Sequence, residues 1–238
     1  MSLEQKIEEV TGLLARIRDG YSPAVFASSL SAEDMVLTDF IAKGFREIEV
    51  FTIDTGRLPQ ETHDLLRAVA SRYSLNVRVY FPRNATLEDF VSHHGSNAFY
   101  ESVELRKRCC ELRKVEPLGR ALDGKRAWIT GMRREQSALR ACVAPFELGE
   151  INALHKFNPL AYWSNSEVWD YIRQNNVPYN ALHDRGYASI GCAPCTRAIT
   201  VGEHSRAGRW WWEAAHGGEC GLHRAEPNPE RLPSAVGA

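Results

Sequence analysis

The chain has 238 residues, with 29 lysine and arginine side chains against 30 aspartate and glutamate side chains. At roughly 150 residues per domain, this length allows one large domain with a substantial core. A formal net charge of −1 gives no general attraction to nucleic acid or to an anionic membrane, so we expect neither as a partner. The chain has no apolar run of roughly 18–20 residues and no apolar signal-peptide stretch near its start, so the expected compartment is the cytoplasm.

Strand and helix patterns alternate along the first half of the chain. Residues 2–18 carry apolar side chains at helical spacing behind a Ser2 and Gln5 capping box, which predicts an amphipathic helix. Short apolar strands alternating with helices are typical of an α/β fold with a parallel sheet covered by helices on both faces. The predicted strands are residues 24–27, 48–53, 77–81 and 127–130, and the further predicted helices are residues 33–42, one from about Pro59, one from Leu87 with Thr86 as its cap, 103–122 and 164–175. The rest of the chain after residue 150 is expected to be irregular.

Three of the predicted strands end in loops with polar side chains. The ligand crevice of such a sheet lies beyond the carboxyl ends of its strands. Small hydroxyl residues there leave backbone N–H groups and a helix N-terminus available for an anion, although the same serines could also serve only as helix caps. The three loops are Ser28-Ser29-Leu30-Ser31, Asp54-Thr55-Gly56-Arg57 and Gly131-Met132-Arg133-Arg134. Their convergence predicts an anion-binding crevice.

All six cysteines lie beyond residue 108. In a reducing compartment, clustered cysteines favour metal ligands or redox nucleophiles over disulfides. Cys192 and Cys195 form a CxxC pair, and Cys109 and Cys110 form an adjacent pair upstream. Four thiolates fit either a tetrahedral zinc ion or an iron–sulfur cluster. Adjacent cysteines suit the separate irons of a cluster better than one small ion, but the spacing leaves zinc open.

Longer motifs surround the cysteines. They are Lys107-Arg108-Cys109-Cys110-Glu111-Leu112-Arg113-Lys114-Val115-Glu116-Pro117-Leu118, Gly191-Cys192-Ala193-Pro194-Cys195-Thr196-Arg197, Ala207-Gly208-Arg209-Trp210-Trp211-Trp212 and Glu219-Cys220-Gly221-Leu222-His223. Together they resemble the assimilatory, iron–sulfur type of adenylyl-sulfate reductase in the PAPS/APS reductase family, over roughly Ser28 to His223. The resemblance implies an adenine nucleotide alpha-hydrolase-like fold and one [4Fe–4S] cluster per chain on Cys109, Cys110, Cys192 and Cys195. It also implies Cys220 as the nucleophile, Lys114 as a basic residue near the cluster, and thioredoxin as the reductant.

The resemblance implies a reaction, and we infer the substrate contacts from the strand-end loops and the basic side chains. Adenosine 5′-phosphosulfate is reduced to sulfite and AMP through an S-sulfonated Cys220, in assimilatory sulfate reduction. We place the anionic groups near the serine loop and the adenosine near Asp54, and guanidinium groups match the phosphosulfate oxygens. The predicted substrate-binding residues are Ser28, Ser29, Ser31, Asp54, Thr55, Gly56, Lys114, Arg133, Arg134, Arg140, Arg206, Arg209 and His223.

We predict two parts of the chain. Residues 1–212 form the nucleotide-binding α/β domain with the cluster, and residues 213–238 form a flexible C-terminal segment that carries Cys220. One departure concerns the first loop, where relatives that cleave ATP have two glycines and this chain has Leu30 and Ser31, whose side chains restrict the approach of phosphate.

Several alternatives stay open at the level of sequence. The substrate could carry a 3′-phosphate, and a glutaredoxin could replace thioredoxin as the donor. The chain could instead be an ATP-pyrophosphatase or sulfurtransferase, or a zinc-stabilised module without catalysis. A homo-oligomer is compatible with the sequence, which gives no number of subunits.

Overall fold

The computed structural model describes residues 1–148 and 154–213. Its strands are β1 (Ala24–Ala27), β2 (Glu49–Ile53), β3 (Val77–Tyr80), β4 (Ala127–Ile129), β5 (Phe146–Leu148) and β6 (His155–Phe157). They form one sheet in the order β3-β2-β1-β4-β6-β5. All neighbouring pairs are parallel except β5 and β6, which pair antiparallel at one edge. The predicted α/β class is confirmed.

Helices cover this sheet on both faces. They are α1 (Leu3–Gly20), α2 (Ala32–Gly44), α3 (Gln60–Tyr73), α4 (Asn84–His94), α5 (Val103–Cys110), α6 (Glu116–Leu122) and α7 (Asn165–Gln174). Reciprocal capping boxes start α1 at Ser2, as the sequence predicts, and α7 at Ser164. In the part of the chain described, no helix combines the length and the apolar character that crossing a membrane requires.

The side chains of β1 alternate between two hydrophobic cores, as expected for a strand covered on both faces. Phe26 belongs to the larger core, which α1, α2, α3 and α7 build on one face of the sheet. Val25 belongs to a smaller core on the other face, together with Leu118 and Ala121 of α6. Consecutive residues of one short strand therefore hold both helical layers to the sheet.

The predicted helix over residues 103–122 forms, but with a wide turn in its middle. A π-helical turn, Glu111–Val115, separates α5 from α6. Pro117 follows this turn closely, and proline neither donates an i→i−4 hydrogen bond nor tolerates the carbonyl of residue i−4. Widening the helix by one residue accommodates the proline without ending the helix.

Two expectations from the sequence are wrong. Thr86 does not cap α4, which begins at Asn84 after Arg83, and the Thr86 hydroxyl donates to the Arg83 carbonyl oxygen at 3.2 Å. The chain after residue 150 is not wholly irregular, because β6 lies in it, and β5, just before that point, is not predicted by the sequence either. Each of these two strands has three residues, too few to show an alternating pattern.

Strand order reverses between β1 and β4. The chain proceeds from β1 outward through β2 and β3, and then returns to place β4 on the opposite side of β1. A crevice opens beyond the carboxyl ends of the two strands that flank such a reversal. The loops of residues 28–31 and 130–133 therefore flank the expected ligand site.

A buried carboxylate fastens three helices on the larger face. Asp39 of α2 is fully buried and accepts hydrogen bonds from Tyr73 of α3 at 2.9 Å and Tyr171 of α7 at 2.8 Å. Lys43 places its Nζ atom 2.7 Å from the same carboxylate. Burial, together with the Asp39 charge, raises the pKa of both tyrosine hydroxyls, so both stay protonated as donors.

We expect Asp39→Ala to lower the free energy of unfolding by about 3 kcal/mol, measured by urea denaturation, because two buried hydroxyls lose their acceptor and Lys43 loses its counterion. Asp170→Ala is the matched control, since Asp170 pairs with Arg173 on the surface of α7. Its effect should stay within about 0.5 kcal/mol. Equal effects of the two substitutions would contradict the role given to Asp39.

Candidate active site

A cleft with a volume of about 860 Å³ opens where the strand order reverses. The loops after β1 and β4 form one wall, and residues 186–192 with residues 199–210 form the other. This volume lies in the range of sites that enclose a small-molecule ligand. The position matches the crevice that the sequence predicts at the strand ends.

The loop after β1 holds an unusual backbone conformation. Leu30 has a φ of 61°, in the left-handed region that glycine enters freely and that costs other residues about 1–2 kcal/mol. Its N–H donates to Ser28 Oγ at 3.2 Å, and its side chain is buried in the larger core. Burying a leucine contributes about 1.5–3 kcal/mol, which offsets this strain. A leucine therefore keeps a backbone shape that glycine would adopt without strain.

The buried carboxyl group of Asp34 holds Ser29 in place. Its backbone N–H and its hydroxyl both donate to Asp34 Oδ2, each at 2.6 Å. Burial, with the nearby Glu33 charge, raises the pKa of Asp34 to about 6. The Asp34 carboxylate also fills the space beside Gly131, where an added Cβ would overlap Asp34 Oδ1. Asp34 thus joins the loop after β1 to the loop after β4.

Most of the predicted substrate-binding residues meet at the cleft. The predicted residues that line it are Ser28, Ser29, Ser31, Thr55, Lys114, Arg133, Arg140, Arg206 and Arg209. Arg133 is buried, donates to the Trp163 carbonyl oxygen at 3.2 Å and lies 3.5 Å from Glu135. Several basic side chains therefore surround one cleft, which favours an anionic ligand.

Arg209 takes its position from a glycine and an indole ring. Its guanidinium lies 4.9 Å from the centre of the Trp210 ring, and an added Cβ on Gly191 would overlap it. Arg106 and Arg206 also approach the Trp210 ring, at 4.5 and 6.0 Å. Trp210 is buried, so it is part of a packed wall with three guanidinium groups around its ring.

Three of the predicted substrate-binding residues in the described part of the chain, Asp54, Gly56 and Arg134, are not among those that line the cleft. Asp54 accepts a hydrogen bond from the Gly56 N–H at 2.8 Å and lies 2.9 Å from His63 Nε2, so it shapes its own loop. Arg134 donates to the Val143 carbonyl oxygen at 2.7 Å and stacks on a tyrosine ring. Cys220 and His223 lie outside the described residues.

The cleft also has lining residues that the sequence did not indicate. Glu33, Asp34, Trp169, His183 and Tyr187 all lie along it. His183 Nδ1 lies 2.8 Å from the Tyr187 carbonyl oxygen, and burial lowers the pKa of this imidazole. Trp169, His183 and Tyr187 lie after residue 160, where the sequence pattern predicts the helix α7 but no ligand-binding residue.

The four predicted ligand cysteines meet at a second, small cavity. Cys109 and Cys110 end α5, Cys192 is the N-cap of a 3₁₀ turn, Ala193–Cys195, and Cys195 is the last residue of that turn. All four cysteines are buried and line the same space. The basic side chains that also line it are Arg57, Arg106, Arg113 and Lys114. Two distant pairs of cysteines are therefore brought together in a positively charged pocket.

The two cavities share residues. Lys114 and Cys192 line both the large cleft and the cysteine pocket. Thr55 of the cleft places its hydroxyl 3.2 Å from Cys192 Sγ, and its carbonyl oxygen accepts a hydrogen bond from Arg113 at 2.6 Å. The loop after β2 therefore connects the cleft to the cysteines directly.

Burial and charge act in opposite directions on the thiols. Burial raises the pKa of Cys109, and burial with the nearby Cys192 raises that of Cys195 to about 12. Burial also acts to raise the pKa of Cys192, but Lys114 and the Thr55 hydrogen bond outweigh it and lower the pKa overall. Cys192 is thus the thiol of these three with the environment most favourable to a thiolate.

The residues present fit an iron–sulfur cluster in their chemistry, because four buried thiols line one pocket. Within residues 1–148 and 154–213, no three His, Cys, Asp or Glu side chains are arranged around one ion. A cluster presents separate irons to separate thiolates, so its ligands need not converge on one point. Arg113 Nε and Trp210 Nε1 are buried donors beside the cysteines without a hydrogen-bond partner in the described part, and cluster or thiolate sulfur would satisfy them.

Comparisons with known proteins agree with this site. The protein-family model for the phosphoadenosine phosphosulfate reductase domain matches residues 23–198 of this chain. A relative from Allochromatium vinosum named adenosine 5′-phosphosulfate reductase is 53% identical and covers 94% of this chain and 87% of its own. A relative of the same name from Burkholderia cepacia is 49% identical over 99% of this chain and 94% of its own.

Solved structures show the same fold. A phosphoadenylyl-sulfate reductase from Candida auris, in a phosphate complex, superposes with a TM-score of 0.69 at 30% identity, over 79% of this chain and 90% of that chain. An NH3-dependent NAD synthetase from Campylobacter jejuni has a TM-score of 0.54 at 12% identity, over 79% of each chain, which indicates the fold alone. The family resemblance and the nucleotide-hydrolase-like fold predicted from the sequence are confirmed.

We expect Gly208→Ala to lower the melting temperature by about 5 °C, measured by differential scanning calorimetry. An added Cβ would overlap the Arg197 carbonyl oxygen, a backbone atom, where Arg197 N–H donates to Gly208 at 3.0 Å. The control is Gly119→Ala in α6, where an added Cβ meets no atom within 4 Å. It should leave the melting temperature unchanged or raise it, and a larger loss than in Gly208→Ala would contradict this packing.

Proposed function

Because the chain belongs to the phosphoadenosine phosphosulfate reductase family, we propose that it reduces adenosine 5′-phosphosulfate to sulfite and AMP with thioredoxin as the electron donor. The chain is an oxidoreductase that acts on a sulfur group. The observation that carries the proposal is the pair of joined cavities, one lined by basic side chains and one by four cysteines. A nucleotide-sized anion in the first would lie beside the charge of the second.

The identity of the relatives favours the substrate without a 3′-phosphate. Relatives named adenosine 5′-phosphosulfate reductase are 44–53% identical over most of this chain. The phosphoadenylyl-sulfate reductase structure is 30% identical. An ATP-pyrophosphatase has less support, because the proteins of that broader fold are 12–17% identical and Leu30 and Ser31 replace the glycines of the first loop.

The proposed binding mode follows the charges of the cleft. Ser31 occupies the N-cap position of α2 without a capping hydrogen bond from its side chain, so the helix N-terminus is available to an anion. Arg133, Arg140, Arg206 and Arg209 supply guanidinium groups along the same cleft. We place the phosphosulfate between this helix end and the arginines, where bidentate contacts to its oxygens are formed.

The proposed chemistry transfers a sulfonate group to Cys220. The Cys220 thiolate attacks the sulfate sulfur, the bond from sulfur to the bridging oxygen breaks, and AMP leaves with the electron pair. A thioredoxin thiolate then attacks Cys220 Sγ and releases sulfite, forming a mixed disulfide. The second thioredoxin thiol resolves this disulfide, which returns Cys220 as a thiol and leaves oxidised thioredoxin. Two electrons pass from thioredoxin to sulfur in each cycle.

The four buried cysteines would hold one [4Fe–4S] cluster. When bound, it would supply four iron–thiolate bonds that join α5 to the Cys192–Cys195 turn and a negative charge for the surrounding basic side chains. Lys114 lies between this pocket and the cleft. We assign Lys114 the role of a shared counter-charge, since it faces both the cysteines and the place of the bound sulfate.

We expect Cys220→Ser to abolish sulfite formation from adenosine 5′-phosphosulfate and thioredoxin, while nucleotide binding measured by isothermal titration calorimetry stays within about twofold. The wild type, incubated with the substrate without thioredoxin, should gain one sulfonate group on Cys220 by peptide mass spectrometry. Cys142→Ser, at an exposed cysteine, is the matched control and should keep full turnover.

Three results would contradict this proposal. They are normal turnover by Cys220→Ser, a sulfonate group mapped to Cys142, and release of pyrophosphate from ATP in place of sulfite from adenosine 5′-phosphosulfate. Comparing turnover of the two sulfonucleotides by the wild type also decides whether a 3′-phosphate is required.

We expect purified protein to contain about four irons and four sulfides per chain, measured by metal and acid-labile sulfide analysis. Cys195→Ser should lose both iron and the visible absorption of the protein, because one of the four thiolate ligands is removed. Cys142→Ser should keep both, since Cys142 lies away from the pocket. Stoichiometric zinc without sulfide would contradict the cluster.

A further inference from the structure

The cleft proposed to bind a polyanion has two carboxylates in its wall. Glu33 and Asp34 both line it, at the first turn of α2. A negative charge beside an anionic ligand opposes binding, so each carboxylate requires a physical reason. Glu33 accepts a hydrogen bond from Gln136 and lies 4.0 Å from Arg133, which neutralises it in part. Asp34 is nearly fully buried, and its hydrogen-bond donors come from Ser29 and from the Ser31 hydroxyl.

The contacts of Asp34 explain the shape of the loop after β1. Both donors of Ser29 point to Asp34 Oδ2, so Ser29 presents neither of them to a ligand. This orientation places Leu30, the next residue, in its left-handed conformation and leads the chain into Ser31 at the start of α2. The carboxylate therefore holds the strained residue between two fixed points.

Asp34 also fixes the opposite wall. Its Oδ1 atom occupies the space beside Gly131, at the end of β4. The two loops that flank the reversal of strand order are thus separated by the width of one carboxyl group. No other residue type fits at position 131 without moving that group.

We propose that Asp34 is a positioning residue for the substrate, which holds the loop of residues 28–31 so that the N-terminus of α2 faces the bound phosphosulfate. This inference rests on the proposed function and deepens it. We assign Asp34 no direct contact with the substrate, because its carboxylate is buried and accepts both donors of Ser29. Its effect on binding passes through the backbone of Ser29, Leu30 and Ser31.

The charge of Asp34 has a cost in stability that separates this role from a merely structural one. A pKa raised to about 6 means that the folded protein disfavours the ionised carboxyl, so this group destabilises the fold at neutral pH. A neutral amide at position 34 would remove this penalty, but it has one acceptor oxygen where the carboxylate has two. The donors of Ser29 and Ser31 would then share a single acceptor, and the loop would be held less firmly. A positioning role thus predicts weaker substrate binding without a loss of stability.

The test uses Asp34→Asn in the cluster-containing Cys220→Ser protein, which binds substrate without turnover. At pH 7.5 we expect the dissociation constant for adenosine 5′-phosphosulfate to rise at least fivefold by isothermal titration calorimetry. The melting temperature should equal or exceed that of the parent. Unchanged affinity with a lowered melting temperature would overturn the inference and leave Asp34 a structural residue.

A pH series supplies a second arm. Glu33 is the charged group that raises the pKa of Asp34, and the hydrogen bonds to Asp34 come from Ser29 and Ser31. Arg133 lies 4.0 Å from Glu33, and His183, whose pKa is lowered by burial, lines the same cleft. The phosphosulfate itself does not titrate between pH 5 and 8. As the pH falls through about 6, Asp34 becomes protonated and the parent should lose affinity. The Asp34→Asn protein should bind weakly at every pH.

Glu33→Gln in the same parent is the matched variant. Because the Glu33 charge helps to raise the pKa of Asp34, removing it should move the loss of affinity to lower pH. A loss near pH 6 that persists in Asp34→Asn would overturn the inference. A parent protein that does not bind adenosine 5′-phosphosulfate at all would contradict the proposed function instead, so the two failures are distinguishable.

Discussion

Burying four thiols beside four basic side chains requires the charges of the two sets to balance, because an isolated charge is strongly disfavoured in a protein interior. The requirement brings together elements that are far apart in sequence. Helix α5 supplies two cysteines and Arg106, and the turn after residue 191 supplies the other two cysteines. Arg57 comes from the loop after β2 and also places its carbonyl oxygen 2.8 Å from the Ala193 N–H. Each segment is therefore fixed by groups from the others.

The ligand cleft depends on the same balance. Lys114 follows the cysteine pair within the π-helical turn, so the widened helix directs one basic side chain to both cavities. Thr55 links the sheet to Cys192 from the opposite side. A change in the charge of the pocket therefore changes the electrostatic potential in the cleft without any movement of the sheet. Cys192 also lines both cavities, so the pocket and the cleft share one electrostatic environment.

The sequence predicts the parts of this structure that follow from repeated patterns. The four strands β1 to β4 and most helices appear as apolar runs with recognisable caps, and the two cysteine pairs stand out by their spacing. Side-chain direction in the loops is harder to predict. Asp54 follows a strand like Ser28 does, yet it turns toward His63 rather than into the cleft. That choice depends on tertiary neighbours that no local pattern contains.

Two glycines of the site also restrict how its sequence can diverge. Gly131 leaves room for Asp34, and Gly191 leaves room for the Arg209 guanidinium. A larger residue at position 131 would displace the Asp34 carboxylate, and one at position 191 would displace the Arg209 guanidinium. Each glycine can therefore be replaced only if its charged partner changes too. We therefore expect positions 34 and 131, and positions 191 and 209, to covary as pairs among relatives. Such covariation would report contacts between residues that are 97 and 18 positions apart along the chain.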